Sequence, residues 1–190
     1  MESMTYVRTN QDAAGKQYVR KLTYSALCLA MALVLPFLTG QIPEVGKMLC
    51  PMHLPVLLCG FFCSWPWGLA IGLIAPVLRS FMFGMPPLFP AAVCMSVELA
   101  TYGAVAALMH RRLKRHRGGV YFSLVTAMVV GRLVWGAAQL LCVGLDVTAF
   151  GLSAFWAGAV TTALPGIAVQ LVLIPILVAT LEHYTNISAN

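Results

Sequence analysis

The sequence predicts an all-α integral membrane protein, a bundle of about six transmembrane helices with both termini cytoplasmic. Three observations carry that expectation. First, 60% of the 190 residues are hydrophobic and only 9% are charged, against roughly 25% charged in a water-soluble domain. So few charges cannot cover a surface that faces water. Second, apolar runs of membrane-crossing length alternate with short polar or Pro/Gly-rich breaks. Third, the basic residues are distributed one-sidedly around those runs. With the N-terminus inside, Arg8, Lys16, Arg20 and Lys21 join Arg111, Arg112, Lys114, Arg115 and Arg117 in the cytoplasm, nine of the twelve Lys and Arg. Only Lys47 falls in an external loop, as the positive-inside rule requires.

The elements follow in order. Residues 1–21 form a polar cytoplasmic tail, and 22–182 a six-helix membrane domain. The first span covers residues 22–39, with a loop over 40–47. The second, 51–63, is too short for an upright crossing and reads as tilted or partly embedded. Ser64-Trp65-Pro66-Trp67 makes a tight turn with interfacial aromatics. The third span, 66–83, carries Pro76 as a kink candidate. Gly84-Met85-Pro86-Pro87 breaks the chain before the fourth span at 88–109. The fifth covers 120–143, a loop takes 144–153, and the sixth span is 154–181. Residues 183–190 make a cytoplasmic tail, and no cleavable signal peptide is expected.

Composition also excludes functions. The net charge of +6 belongs to topology signals, and no stacking platform or groove-reading motif accompanies it, so no nucleic acid partner is expected. Six cysteines lie mostly in apolar runs, which opposes a disulfide framework. Cys59 and Cys63, one turn apart, read first as apolar packing residues and second as a metal or redox pair. No phosphate loop, zinc-protease or serine-hydrolase motif is present, nor a pair of intramembrane aspartates. The chain is therefore not expected to be an enzyme, nor to carry a cofactor or metal.

Charges inside spans cost roughly 2.5–3.5 kcal/mol each on insertion scales, so they mark function or structural pairing. Arg132, Trp135, Gly136 and Gln139 share one face of the fifth span. A cation, an indole and an amide beside a glycine suit the lining of a small-molecule pocket; the alternative is a seam in which Arg132 pairs with Glu98. Glu98, near Met95, Thr101 and Tyr102 on the fourth span, is a structural partner, a substrate contact or a proton site. Arg79 either snorkels to the interface or draws an anion to the external mouth. If Arg79 and Arg132 reached one cavity, a single positive charge would remain, favouring an anionic ligand group. His53, which opens the second span, reads first as a hydrogen-bonded structural residue at the membrane interface and second as a ligand. Thr161, Thr162, Pro165, Gly166 and Gln170 lend polarity to the last span, where Pro165 would free a carbonyl one turn earlier.

Three stretches point to a family. They are Arg20-Lys-Leu-Thr-Tyr-Ser-Ala-Leu-Cys-Leu-Ala30, then Met52-His-Leu-Pro-Val-Leu-Leu-Cys-Gly60 continuing through Trp67-Gly-Leu-Ala-Ile-Gly72 to Pro90, and Leu164-Pro-Gly-Ile-Ala-Val-Gln-Leu-Val-Leu-Ile-Pro175. Together, across Val19 to Glu182, the chain resembles the substrate-binding S-components of energy-coupling factor (ECF) transporters. The resemblance implies a multi-pass protein of the bacterial cell membrane that binds a vitamin-like small molecule near the external face. It also implies a membrane T-component and two cytoplasmic ATPases as partners, and toppling in the bilayer to release cargo inward. Ala26 and Ala30 match the position where the first helix meets the T-component. Metal-transporting members have His at the second residue, where this chain has Glu2, which argues against a metal substrate. The alternative is a stand-alone proton-coupled secondary transporter of a small organic solute, with Glu98 as the proton site.

Overall fold

A computed structural model describes residues 2–39, 49–113, 116, 118–143 and 163–185. Among them the chain is all-helical, with no strand. Helix α1 is Glu2–Val34, ending in a tight turn at Leu35–Thr39; α2 is His53–Cys63; α3 is Trp65–Phe83. An irregular turn at Leu88–Ala92, with Phe89 extended, leads into α4, Val93–Leu113. Helices α5, Gly119–Val143, and α6, Leu164–Thr185, complete the bundle. The expected loops at 40–47 and 144–153, Lys114, Arg115, Arg117, Thr161, Thr162 and the terminal 186–190 lie outside the described residues.

Five apolar stretches among the described residues are long enough to cross a membrane: Ala14–Leu38, Trp65–Phe83, Leu88–Leu113, Gly119–Cys142 and Leu164–Leu181. The sixth apolar helix, α2, has 11 residues. At roughly 16 Å it reaches about half way through a hydrocarbon core of roughly 30 Å. Helix α1 is continuous from Glu2, so the expected first span, 22–39, is the later part of one helix that also carries the polar segment before it. Among the described residues the last helix starts at Leu164, and the 154–162 part of the expected sixth span lies outside them. Pro165 therefore sits in the first turn of α6, where a missing N–H leaves no helical bond unmade. Thr161, whose carbonyl it was expected to free, lies outside the described residues, and the proline inside the helix is Pro175.

The shortest helix is the most enclosed. His53 to Phe61 and Cys63 of α2 are all buried, because α2 lies between two cores. In one, Val56, Cys59 and Cys63 pack with Cys28 and Ala32 of α1, Ile71 and Ala75 of α3 and Leu99 of α4. In the other, Leu54, Leu57, Leu58 and Phe61 meet Tyr102 and Ala106 of α4, Leu124, Ala127 and Met128 of α5, and Ile174 and Val178 of α6. Cys59 and Cys63 thus serve as space-filling side chains, with the Cys59 thiol 3.7 Å from the Ser25 hydroxyl.

Glycines let the centre close up. A Cβ on Gly103 of α4 would collide with the Gly68 backbone of α3, and one on Gly60 of α2 would meet the Gly103 carbonyl. Gly72, one turn beyond Gly68, lies against the backbone of Leu99 and Ala100. Small residues at four-residue spacing allow such backbone approach, which maximises dispersion where the hydrophobic effect between helices is absent. The outside is apolar instead: Phe122, Val129, Leu133 and Leu141 of α5 and Val172 and Ile176 of α6 are exposed. Hydroxyls in the spans turn back on their own helices, as Ser96 does to Ala92 and Thr101 to Val97, so no water is needed to satisfy them.

Candidate functional site

Position along each helix decides what meets at mid-depth. Glu98 is the eleventh of the 26 residues in the apolar stretch Leu88–Leu113, and Arg132 the fourteenth of the 24 in Gly119–Cys142. Helix α2 begins at that level because it is half-length. Three separate elements thereby bring an imidazole, a carboxylate and a guanidinium together inside the bundle.

Glu98, 1% exposed, is the centre. Arg132 Nη1 lies 3.1 Å from its Oε1, and His53 Nε2 lies 3.5 Å from the same oxygen. Neither approach is aligned as a hydrogen bond: Oε1, both imidazole nitrogens and Arg132 Nε are buried without a hydrogen-bond partner among the described residues. Arg132 Nη2 donates instead to the Cys50 thiol at 3.5 Å. The Cys50 backbone is left-handed, with φ of 47°, a conformation costing roughly 1–2 kcal/mol for a residue other than glycine. It closes the turn in which His53 N–H donates to the Cys50 carbonyl at 3.0 Å. Irregular backbone at membrane depth is tolerated where protein encloses it or where it lines a cavity.

Aromatic rings fix the other sides. Tyr102, 2% exposed, packs edge-on to His53 with ring centroids 5.1 Å apart, and its hydroxyl reaches the Glu98 carboxylate. Gly131 of α5 makes that placement possible, since a Cβ there would strike the Tyr102 ring. Trp135 lies one turn along α5, its ring centroid 6.0 Å from the Arg132 guanidinium carbon. Gly136 is buried and Gln139 half-buried on the same face, while Leu133 and Leu140 face outward. Gln170 of α6 is buried.

The sequence-derived Arg132–Glu98 contact is present, and the Arg132, Trp135, Gln139 face turns toward the bundle interior. Arg79 is placed elsewhere. Its Nη1 donates to the Leu33 carbonyl of α1 at 2.6 Å, and its guanidinium sits 5.0 Å from the Phe37 and 5.3 Å from the Phe83 ring centroid. From Gly72, which opposes Leu99, Arg79 is two turns farther toward the Pro87 end, or about 10 Å. The two arginines therefore do not share one cavity, and the surplus positive charge expected from them is not assembled. His53, Cys50 and Tyr102 were not among the expected site residues. The signal for His53 was present in the short second span, which starts an apolar helix at mid-membrane instead of at the interface.

A bundle with five apolar stretches of membrane-crossing length and a buried ion pair between two of its helices has the marks of a multi-pass membrane protein with a candidate functional site in its interior. The family of ECF transporter substrate-specific components matches residues 20–178, and the chain belongs to that family. It is thus the substrate-binding subunit of an ECF transporter. A comparison with curated proteins finds no match.

Proposed function

We propose that the chain captures a water-soluble vitamin or related micronutrient at the external face of the cell membrane, through the His53, Glu98 and Arg132 cluster, and delivers it inward. A T-component and two cytoplasmic ATPases supply the energy. One observation carries the location: a half-length helix starts at mid-depth against a buried ion pair whose polar atoms are incompletely matched within the protein. Broken helices at the midplane are a recurring way for membrane transporters to present polar groups to a solute. In this reading Trp135 stacks on the ligand, Gln139 and Gln170 fix polar edges, and Arg79 ties α3 to α1. The N- and C-termini are cytoplasmic, by the basic residues that flank the spans.

Ala26 and Ala30 are assigned to T-component docking. Both are exposed on α1, opposite the buried Ser25, Cys28 and Ala32, and they leave a shallow strip where another helix can approach. The secondary-transporter reading is weakened by Glu98, which already holds Arg132 at 3.1 Å.

The test is reconstitution in liposomes with and without the T-component and ATPases. Solute should accumulate only with the complete set and ATP. In Ala30→Trp, co-purification with the T-component and uptake should fall at least about tenfold, a clash being the cause, with ligand affinity nearly unchanged. Accumulation by the chain alone, abolished by a protonophore, would establish the secondary transporter instead.

A further inference from the structure

The polar atoms at mid-depth constrain the chemistry of the ligand. Glu98 and Arg132 cancel, so the buried ion pair itself carries no net charge. A carboxylate or phosphate added there would leave net negative charge in a low-dielectric enclosure, and an ammonium would leave net positive charge. Arg79, which would otherwise tip the count, is committed to the Leu33 carbonyl.

The unmatched atoms are of both kinds. Arg132 Nε donates, Glu98 Oε1 accepts, and the His53 ring adds two further nitrogens. A ligand that satisfies them carries a donor and an acceptor side by side, and Trp135 beside Arg132 offers it a flat apolar face. We propose that this cluster receives an uncharged, planar heterocycle through a lactam- or carboxamide-like edge, and not an anion. The inference rests on the substrate-binding role proposed above and narrows its substrate class.

The experiment uses the full chain in lipid nanodiscs after removal of any retained compound, which is identified by mass spectrometry. Calorimetric titration compares uracil with orotate and nicotinamide with nicotinate, pairs that share a ring and differ in charge, and adds β-alanine as a zwitterion. At least one neutral probe should bind at least about tenfold more tightly than its anionic counterpart, and the retained compound should be uncharged at pH 7. In Glu98→Gln that probe should bind more weakly; an anion seated on Arg132 would bind more tightly once the competing carboxylate is gone. Should Glu98→Gln fail to fold, Trp135→Ala leaves the ion pair in place and should weaken the neutral probe at least about tenfold by removing the flat face, and unchanged binding there overturns the inference. Preference for orotate or nicotinate, binding of β-alanine, a retained carboxylate or phosphate, or no binding by either neutral probe overturns the inference. An anionic ligand that still requires the T-component and ATPases for uptake would overturn it while leaving the transport role intact.

Discussion

Arg79 and Arg132 are chemically identical and both lie in spans, yet their surroundings assign them different work. Arg79 closes the end of α1 with a charge-assisted bond to a backbone carbonyl between two phenylalanine rings. Such a bond contributes about 1.5–3 kcal/mol. Arg79→Gln should therefore lower the melting temperature while leaving ligand affinity within about threefold, an outcome read by measuring both on one preparation. A parallel loss of affinity would place Arg79 in the binding site after all. Gly131 predicts the reverse pattern. A valine there must push the Tyr102 ring, and with it the His53 ring packed edge-on to it. Gly131→Val should cut affinity by more than about tenfold, the scale of a displaced buried contact; Gly131→Ser, smaller, should lose less. The helical spacing of Arg132, Trp135, Gly136 and Gln139 was legible because a period of 3.6 needs no neighbour to be read. Which partner each charge finds was not legible, because that depends on the depth and register of other helices.

At the scale of elements, the governing feature is the α2, α3 and α4 seam. Gly60, Gly68 and Gly103 bring three backbones into contact, and any side chain there must force the helices apart. Gly103→Leu should abolish a monodisperse fold, and Gly103→Ala should lower stability sharply; size-exclusion profiles and melting temperatures check both. An Ala variant as stable as the parent would show that the seam has slack. The Gly68 and Gly72 pair stood in the sequence at the four-residue spacing that marks close packing, but its partner, Gly103, carries no such local signature. The short α2 was likewise visible as a run too brief to cross. Its burial on nearly every side was not, since an apolar segment of that length looks the same at a membrane surface or in the middle of a bundle.

For the whole molecule, the orientation rests on charge. Lys47 and residue Asp146 are expected outside and Lys114 inside. Single cysteines at these positions, in a background with the native cysteines replaced, should react with an impermeant maleimide in intact cells at 47 and 146 only. Labelling at 114 would invert the topology and place the proposed capture face on the wrong side. The apolar exterior of α5 and α6 fits a lipid surround, and Ala26 and Ala30 leave a strip of small exposed side chains on α1, where the docking proposed above would replace that lipid.

The sequence by itself determined that the chain is a helical membrane protein, where most of its helices run, and which face of α5 turns inward. It also carried the family resemblance. These are properties of composition and local periodicity, set by the hydrocarbon thickness and the pitch of a helix. Only the tertiary structure decided that His53 and Cys50 belong with Glu98 and Arg132, and that Arg79 does not. That choice follows from a half-length helix wedged between two cores and from the glycines that set how closely and at what level its neighbours pass. A buried charge is expensive wherever it sits in a span; which group relieves it is fixed by the register of packed helices, and no single segment contains that information.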